Sequence, residues 1–341
     1  MGFLFYIRSI MNRIKVFLIL LLATFASPAL AAKLPGGWPV QIVGESSISL
    51  CNSFRIKGCD KWELQMGNTG RAFRALNEQT GTFVIPNPWD VGSARILAVM
   101  GFKALATTSS GMAFVLGLPD GAVPPELVLK HCGEIVAATS LSVSADLERG
   151  FGDSPESVAE TIAAAVAVGL AGCSIEDYTG NRDAPIYDKT LAIERIQAAS
   201  EHCRRLSDDF VLTARCENLL WGRSDLDEVI AMLQAYAAAG ADVLYAPGLH
   251  SLDTIREVCA AVNKPVNVVI EMPGKPFSVA DLERVGVKRI SVGAVLARLA
   301  YGSLVNSARE MLGTGTFQFA EKAINYNELE DLFRQQSTRP S

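Results

Sequence analysis

Four carboxylates fall on two short stretches of this sequence, Asp146 and Glu148 on one, Glu176 and Asp177 on the other, and each stretch ends a short run rich in β-formers. Gathered without partners, such groups repel one another and lose hydration, at a cost of several kcal/mol unless they are protonated or neutralised. A divalent cation resolves that conflict. With oxygen ligands only and no His or thiolate beside them, the set selects a hard ion, Mg²⁺ or Mn²⁺ in its place, and Mg²⁺ takes few carboxylates directly and keeps several waters. The competing explanation is a set of helix caps and loop salt bridges, a role that acidic residues after strands often fill. Arg215 ends another apolar run. Its guanidinium is a fork of donors that matches a substrate carboxylate, or else it pairs with Glu217 or a neighbouring acid. Thr108, Ser109, Ser110 and Gly111 offer hydroxyls and backbone N–H groups to a second anionic group, with Gly permitting close approach; alone, the segment reads as an ordinary turn.

These residues share one position in a repeating pattern. Short β-rich runs at 82–85, 104–107, 141–145, 172–175, 210–214, 242–245, 266–270 and 289–292 alternate with amphipathic helical patterns at 93–100, 126–138, 155–168, 190–206, 226–239, 252–262, 279–285 and 294–311. Such alternation predicts parallel strands with helical crossovers. Ser154 before Pro155, Ser251, and Ser278 with Asp281 supply helix-start signals. Eight units in about 230 residues match a closed (β/α)8 TIM barrel, spanning 68–315, whose chemistry sits where the strands end. Asn87, Trp89, Asp90, Asn267 and Glu271 also fall at strand ends. An open doubly wound sheet is the alternative, but no Gly-rich dinucleotide fingerprint follows the first run. The tail, 316–341, carries one more helical pattern near 327–335, suited to packing on a partner subunit.

Upstream, residues 33–67 are rich in Gly, Ser and Pro without sustained period and read as a linker. Residues 1–32 read as a secretory signal, with Arg13 and Lys15 before an apolar run and Ala29-Leu30-Ala31 as a cleavage site; the other reading places the true start near Met66. The run is too short to span a bilayer comfortably. Localisation stays open accordingly: export if that segment is genuine, cytoplasm otherwise. Net charge is −5 and the pI 5.4, with no long basic run, so neither nucleic acid nor an anionic membrane is an evident partner. A small anionic substrate is still allowed, because an Arg or a metal reverses the field inside one pocket. Cys51 and Cys59 could pair in an exported protein, while Cys132, Cys173, Cys203, Cys216 and Cys259 lack metal-type spacing and read as buried thiols.

Ser110-Gly111, Gly117-Leu118-Pro119-Asp120, the run from Asp146 to Gly152 (DLERGFG), Ile175-Glu176-Asp177 and Ala214-Arg215 resemble, in order and spacing, segments of the isocitrate lyase and phosphoenolpyruvate mutase superfamily. The resemblance covers about residues 68–312, and its most specific part is D-x-[DE]-x-G-[FY]-G followed by I-E-D. It implies Mg²⁺ held by Asp146, Glu148 and Glu176, directly or through water. It also implies a substrate carboxylate on Ser110, Gly111 and Arg215, and catalytic roles for Arg215, Glu176 and Asp120; the extra C-terminal helix suits a homo-dimer or homo-tetramer. Family members make or break a C–C or P–C bond beside a 2-oxo or enolate carbon, often through enolpyruvate. An aimed Arg and a divalent ion suit the charge that develops there.

Departures narrow the reading. Lyases of this family that split isocitrate or methylisocitrate carry a K-K-C-G-H-type loop after I-E-D, whose Cys serves in proton transfer; here residues 178–188 contain no Cys or His, and no Lys. Lys130-His131-Cys132-Gly133 is a chance match, because it belongs to a different βα unit. The loop 178–188 is the expected lid, with Asn181 or Arg182 reaching the substrate, or else a solvated connection. Pro247-Gly248 stands where relatives place a polar residue. The leading expectation is a Mg²⁺-dependent C–C lyase for an oxaloacetate-like acid. A phosphonate P–C enzyme and a non-catalytic anion-binding barrel are the alternatives.

Overall fold

All eight β-rich runs are strands, each within one residue of its predicted limits: β1 Phe83–Ile85, β2 Ala104–Ala106, β3 Ser142–Asp146, β4 Gly172–Glu176, β5 Val211–Arg215, β6 Val243–Tyr245, β7 Val266–Val269 and β8 Arg289–Ser291. The computed structural model describes residues 59–270 and 277–337; the signal-like segment, Cys51 and Glu271 lie outside them. The helices are α1 Cys59–Glu78, α2 Val91–Val99, α3 Ser109–Val115, α4 Pro125–Ala138, α5 Pro155–Ala167, α6 Lys189–Leu206, α7 Leu226–Ala238, α8 Leu252–Ala261, α9 Val279–Arg284, α10 Val295–Gly313 and α11 Tyr326–Ser337. Ser154, Ser251 and Ser278 cap α5, α8 and α9 as their positions predict, and Ser278 with Asp281 completes a capping box.

Every ladder is parallel, and the strand order is β1-β8-β7-β6-β5-β4-β3-β2. Between β2 and β1 the ladder gives way to two bonds: Ala106 N–H donates to Pro86 C=O (3.1 Å), and the Asn87 amide donates to Thr107 C=O (3.1 Å). The Asn87 side-chain oxygen in turn accepts from Val292 and Gly293 N–H (2.9 and 3.0 Å). One side chain thus ties β1, β2 and the end of β8 together.

The two faces of each strand differ in composition. Outward residues Leu105, Val143, Ile175, Leu212, Leu244 and Ile290 are buried against the helical layer in the main core. Inward at the lower end, Phe83, Ile85, Ala104, Ala171, Val211 and Val243 form a second apolar cluster with Phe73 of α1. Higher up, the inward positions are Ser144, Ser174, Thr213, Asn267 and Arg289, where barrels of this kind usually carry bulky aliphatic groups. This polar layer leaves room for a cavity.

One expectation is corrected. Residues 59–67, read as linker, begin α1, whose tertiary anchors override its glycines: Ser142 Oγ donates to Thr69 C=O (2.6 Å), Arg74 pairs with Asp242 (3.0 Å), and Phe73 seals the barrel floor. The tail helix α11 packs on α2 of its own chain, and a methyl group at Gly92 would stand 3.9 Å from Phe333 Cζ.

Candidate active site

The strand ends open into a cavity of about 250 Å³ lined by Thr108, Ser109, Ser110, Asp120, Asp146 and Arg215 at its mouth. Ser144, Ser174, Tyr245, Asn267, Arg289 and Ser291 line it below. Asp146 ends β3 at the centre. Its Oδ2 accepts from Ser109 Oγ (3.1 Å), its Oδ1 from Glu148 N–H (3.3 Å), and its own N–H donates to Thr107 Oγ1 (3.1 Å). Adjacent register positions Glu176 and Arg215 on β4 and β5 bring the next two groups together. The Arg215 guanidinium lies 3.3 Å from Glu176, 3.9 Å from Asp146, and in hydrogen-bond contact with Glu217 through Nε. Burial alone would lower Arg215, but Glu217 and Glu176 outweigh it and hold the guanidinium well above its ordinary value. Of the two partners expected for Arg215, the structure shows the acids, with the substrate side still open to the cavity.

The electrostatics are lopsided. Asp120, Asp146, Glu148, Glu176 and Glu217 interact with one another against only two guanidiniums, Arg215 and, at Glu148, Arg149. Glu148 is pushed up to about 7, first by lost hydration and then by Asp146 and Asp120. Glu176 is raised well above the carboxylate range by burial, against the pull of Arg215. Asp120 sits on the rim, yet lost water around its carboxyl, and then Asp146, raise it too. Among the described residues, no three acidic, His or Cys side chains are already arranged around one point as metal ligands. The donor chemistry nevertheless fits a hard cation: oxygens only, in excess over positive charge, with carboxyls driven toward protonation when no ion is there to neutralise them.

The loop carrying Glu148 is held in an unusual shape. Glu148 and Phe151 adopt left-handed backbone (φ 50° and 57°), which costs non-glycine residues on the order of 1–3 kcal/mol each. Glu148 C=O accepts from Glu176 N–H (3.0 Å), which locks it to β4. Arg195 of α6, buried, donates to the carbonyls of Arg149, Gly152 (2.7 Å) and Asp153 (2.6 Å) and lies 4.3 Å over the Tyr187 ring. Sequence reasoning missed Arg195, because nothing local in a helix points to a loop some forty residues upstream.

Other expectations separate in the same way. Asp177, grouped with the metal carboxylates by sequence, is turned away: it accepts from Tyr236 OH (2.7 Å) and Glu217 N–H (2.7 Å) and so positions the β5 end. Thr108 caps α3, its hydroxyl accepting from Gly111 N–H (3.3 Å), and Ser110 lies 3.4 Å from it. The expected turn is therefore the first turn of a helix. Gly111 is required there, since a Cβ would meet Thr108 Cγ2 at 2.5 Å and Trp89 Cβ at 2.9 Å. Asn181 is exposed outside the cavity lining, its side chain accepting from Asp183 N–H (3.0 Å). Residues 178–187 form a small ribbon: Tyr178 bridges Ile186, Thr179 N–H donates to Pro185 C=O (2.8 Å), and Tyr178 stacks on Trp221 at 4.7 Å. Cys132 is buried on α4, its thiol pushed up to about 12 by burial. Arg289, which opens β8 rather than ending it, and Tyr245, an aromatic residue among aliphatic strand formers, carry no charge pattern at a strand end; inward period-2 alternation is the available signal.

The family model for phosphoenolpyruvate phosphomutase matches residues 73–312. The chain belongs to that family. Phosphoenolpyruvate mutase family members and isocitrate lyases form one superfamily of lyases and mutases acting on small carboxylates. A lyase/mutase-type protein of Burkholderia cenocepacia J2315 shares 50% identity and a TM-score of 0.77, covering 81% of this chain and 98% of its own. The 2-methylisocitrate lyase of Escherichia coli K12 is 30% identical over 64% of this chain and 75% of its own length. Oxaloacetate acetylhydrolase in complex with its product oxalate has 26% identity and a TM-score of 0.70, covering 79% of this chain and 95% of its own. Within this phosphoenolpyruvate mutase family barrel, the matched span takes in every strand and both carboxylate-bearing loops.

Proposed function

We propose that this protein is a Mg²⁺-dependent lyase that breaks a C–C bond in a small 2-oxo or 2-hydroxy acid of oxaloacetate type and leaves a pyruvate-like enolate. One observation carries the reading: Arg215 stands among Asp146, Glu176 and Glu217 at the mouth of a small polar cavity. At about 250 Å³ that cavity is below the usual range for drug-sized ligands, roughly 300–1,000 Å³, and suits a short acid. Asp146, Glu148 and Glu176 would hold Mg²⁺, or Mn²⁺ in its place. When bound, the ion would stabilise negative charge developing on the substrate's oxygens. Arg215 would donate to the substrate carboxylate and so orient the bond to be broken; Ser109 and Ser110 line the same wall. Asp120 lines the rim of the cavity, its carboxyl raised by lost hydration and by Asp146, and would take part in proton transfer there. The ribbon 178–188, which lacks Cys, His and Lys, speaks against a cysteine-dependent isocitrate lyase reaction.

The deciding experiment is release of pyruvate from oxaloacetate and related acids, measured above the metal-only background, with and without EDTA. Loss of turnover with EDTA and in Asp146→Ala supports the proposal, as does a fall of about 10²-fold or more in Arg215→Met. Turnover that survives EDTA sinks it, and a protein that binds no Mg²⁺ by calorimetry is an anion-binding barrel instead. The family match also favours a second reading, a P–C bond enzyme, which ³¹P NMR on phosphonopyruvate would reveal as turnover. We further propose a homo-oligomer, dimer or tetramer, supported by Leu299, Leu304 and Leu312 of α10, each more than half exposed.

A further inference from the structure

A second guanidinium lies beneath the bowl. Arg289 opens β8 with its side chain inside the barrel, 5% exposed. Its Nε donates to Asn267 Oδ1 (2.8 Å) and its Nη2 to Thr213 Oγ1 (2.9 Å), while Nη1 is buried without a hydrogen-bond partner. Both acceptors are neutral. Among the described residues no carboxylate lies within ion-pair distance of Arg289, whereas Arg215 has three. Burial lowers Arg289 to about 10, so it stays charged at neutral pH.

A buried cation without a counter-ion costs several kcal/mol, more than two hydrogen bonds to neutral acceptors return. The barrel does not require it, since interior positions of such barrels are ordinarily aliphatic. An arrangement of this kind suits a ligand that brings the missing charge. Arg289 lines the same cavity as Arg215, with Ser144, Ser174, Asn267 and Ser291 around it. Tyr245 lines the cavity as well, its ring centroid 5.2 Å from the Arg215 guanidinium. Negative charge gathers at the mouth, where Asp120 and Asp146 line the cavity, and the deep wall carries none.

We propose that Arg289 forms a second anion subsite at the floor of this cavity, which receives the distal oxyanion of the oxaloacetate-type acid. Its reacting end lies toward Arg215 and Asp146, and its distal oxyanion, carboxylate or phosphonate, sits on Arg289. The inference rests on the site reading given under Proposed function and adds the residue that holds the substrate's second charge.

Calorimetry on the full chain with excess Mg²⁺ tests it with two matched pairs, lactate against malate and pyruvate against phosphonopyruvate. Each pair differs by one added oxyanion. The expected result is that malate, phosphonopyruvate or both bind about tenfold tighter, or more, than the monoanionic partner, and the pair that responds names the distal group. Arg289→Met removes that preference and leaves the monoanion affinity within about twofold, while Arg289→Lys, which keeps the charge, retains part of it. Because the arginine is an uncompensated charge, Arg289→Met also keeps or raises the melting temperature; a purely structural arginine would lose stability and leave the preference intact. A wild-type ratio near one for both pairs overturns the proposal, as does a preference that persists in Arg289→Met. Mg²⁺-dependent binding of lactate or pyruvate with no preference defeats this inference alone; absence of Mg²⁺-dependent binding by all four acids defeats the site reading with it.

Discussion

Replacing Glu148 by Gln tests whether the bowl is built around a missing positive charge. An ordinary glutamate titrates near 4.5, and Glu148 is raised to about 7 by lost hydration and then by Asp146 and Asp120. At about 1.4 kcal/mol per pH unit, keeping it ionised in the folded, metal-free protein costs on the order of 3 kcal/mol, and about 2 kcal/mol once solvent screening at this partly open site is allowed for. The folded value lies above the unfolded one, so the folded state holds the extra proton. The stability this provides is complete below about 4.5 and is lost as the pH rises through about 7. Gln keeps the shape, and the left-handed backbone at this position, without the charge. In EDTA at pH 8, Glu148→Gln is therefore expected to melt higher than wild type by about 4–8 °C, and at pH 4.5 the difference should nearly vanish. Mg²⁺ should reverse the order, because the ion stabilises wild type in proportion to its binding and the variant has lost a ligand. Circular dichroism melts at the two pH values, with EDTA and with Mg²⁺, supply all four comparisons. A variant that melts no higher at pH 8, or whose gain is the same at both pH values, would refute the charge-excess account.

Three further outcomes follow from the packing. Asn87→Ala strands Val292 N–H, Gly293 N–H and Thr107 C=O; it should cost about 1–3 kcal/mol in urea unfolding and speed amide exchange at Val292 and Gly293 first. Phe73→Ala empties the barrel floor and should lower stability by about 3–5 kcal/mol without changing Mg²⁺ affinity, as read by denaturation and calorimetry. Leu304→Asp together with Leu312→Asp, both on the exposed side of α10, should shift the mass measured by light scattering to that of a single chain while the far-ultraviolet spectrum holds; an unchanged mass would remove that face from any interface.

The barrel was legible because its signals are local. Strand runs such as 172–175 and 210–214, helical periods, and caps such as Ser154 and Ser278 depend on residues a few positions apart, and the structure shows them within one or two residues. Arg215 and the acids of β3 and β4 were legible for a related reason: a parallel barrel brings all strand ends to one mouth, so residues that are last in their strands meet whatever the details. Where a side chain turns once it arrives follows no local rule. Asp177 stands beside Glu176 in sequence yet serves Tyr236 and the β5 end, because one step along a strand reverses the face. The same alternation places Arg289 inside the barrel, two positions before the inward Ser291, and only the assembled interior reveals that no acid comes to meet it among the described residues. Arg195, α1 and α11 repeat the point at longer range: their partners lie tens of residues away, and pairing over that distance is decided by packing. The sequence by itself determined the class of fold and which charged groups share one bowl. The tertiary structure decided how those charges pair, because a charge's partner is set by direction and burial, neither of which is carried by residue type.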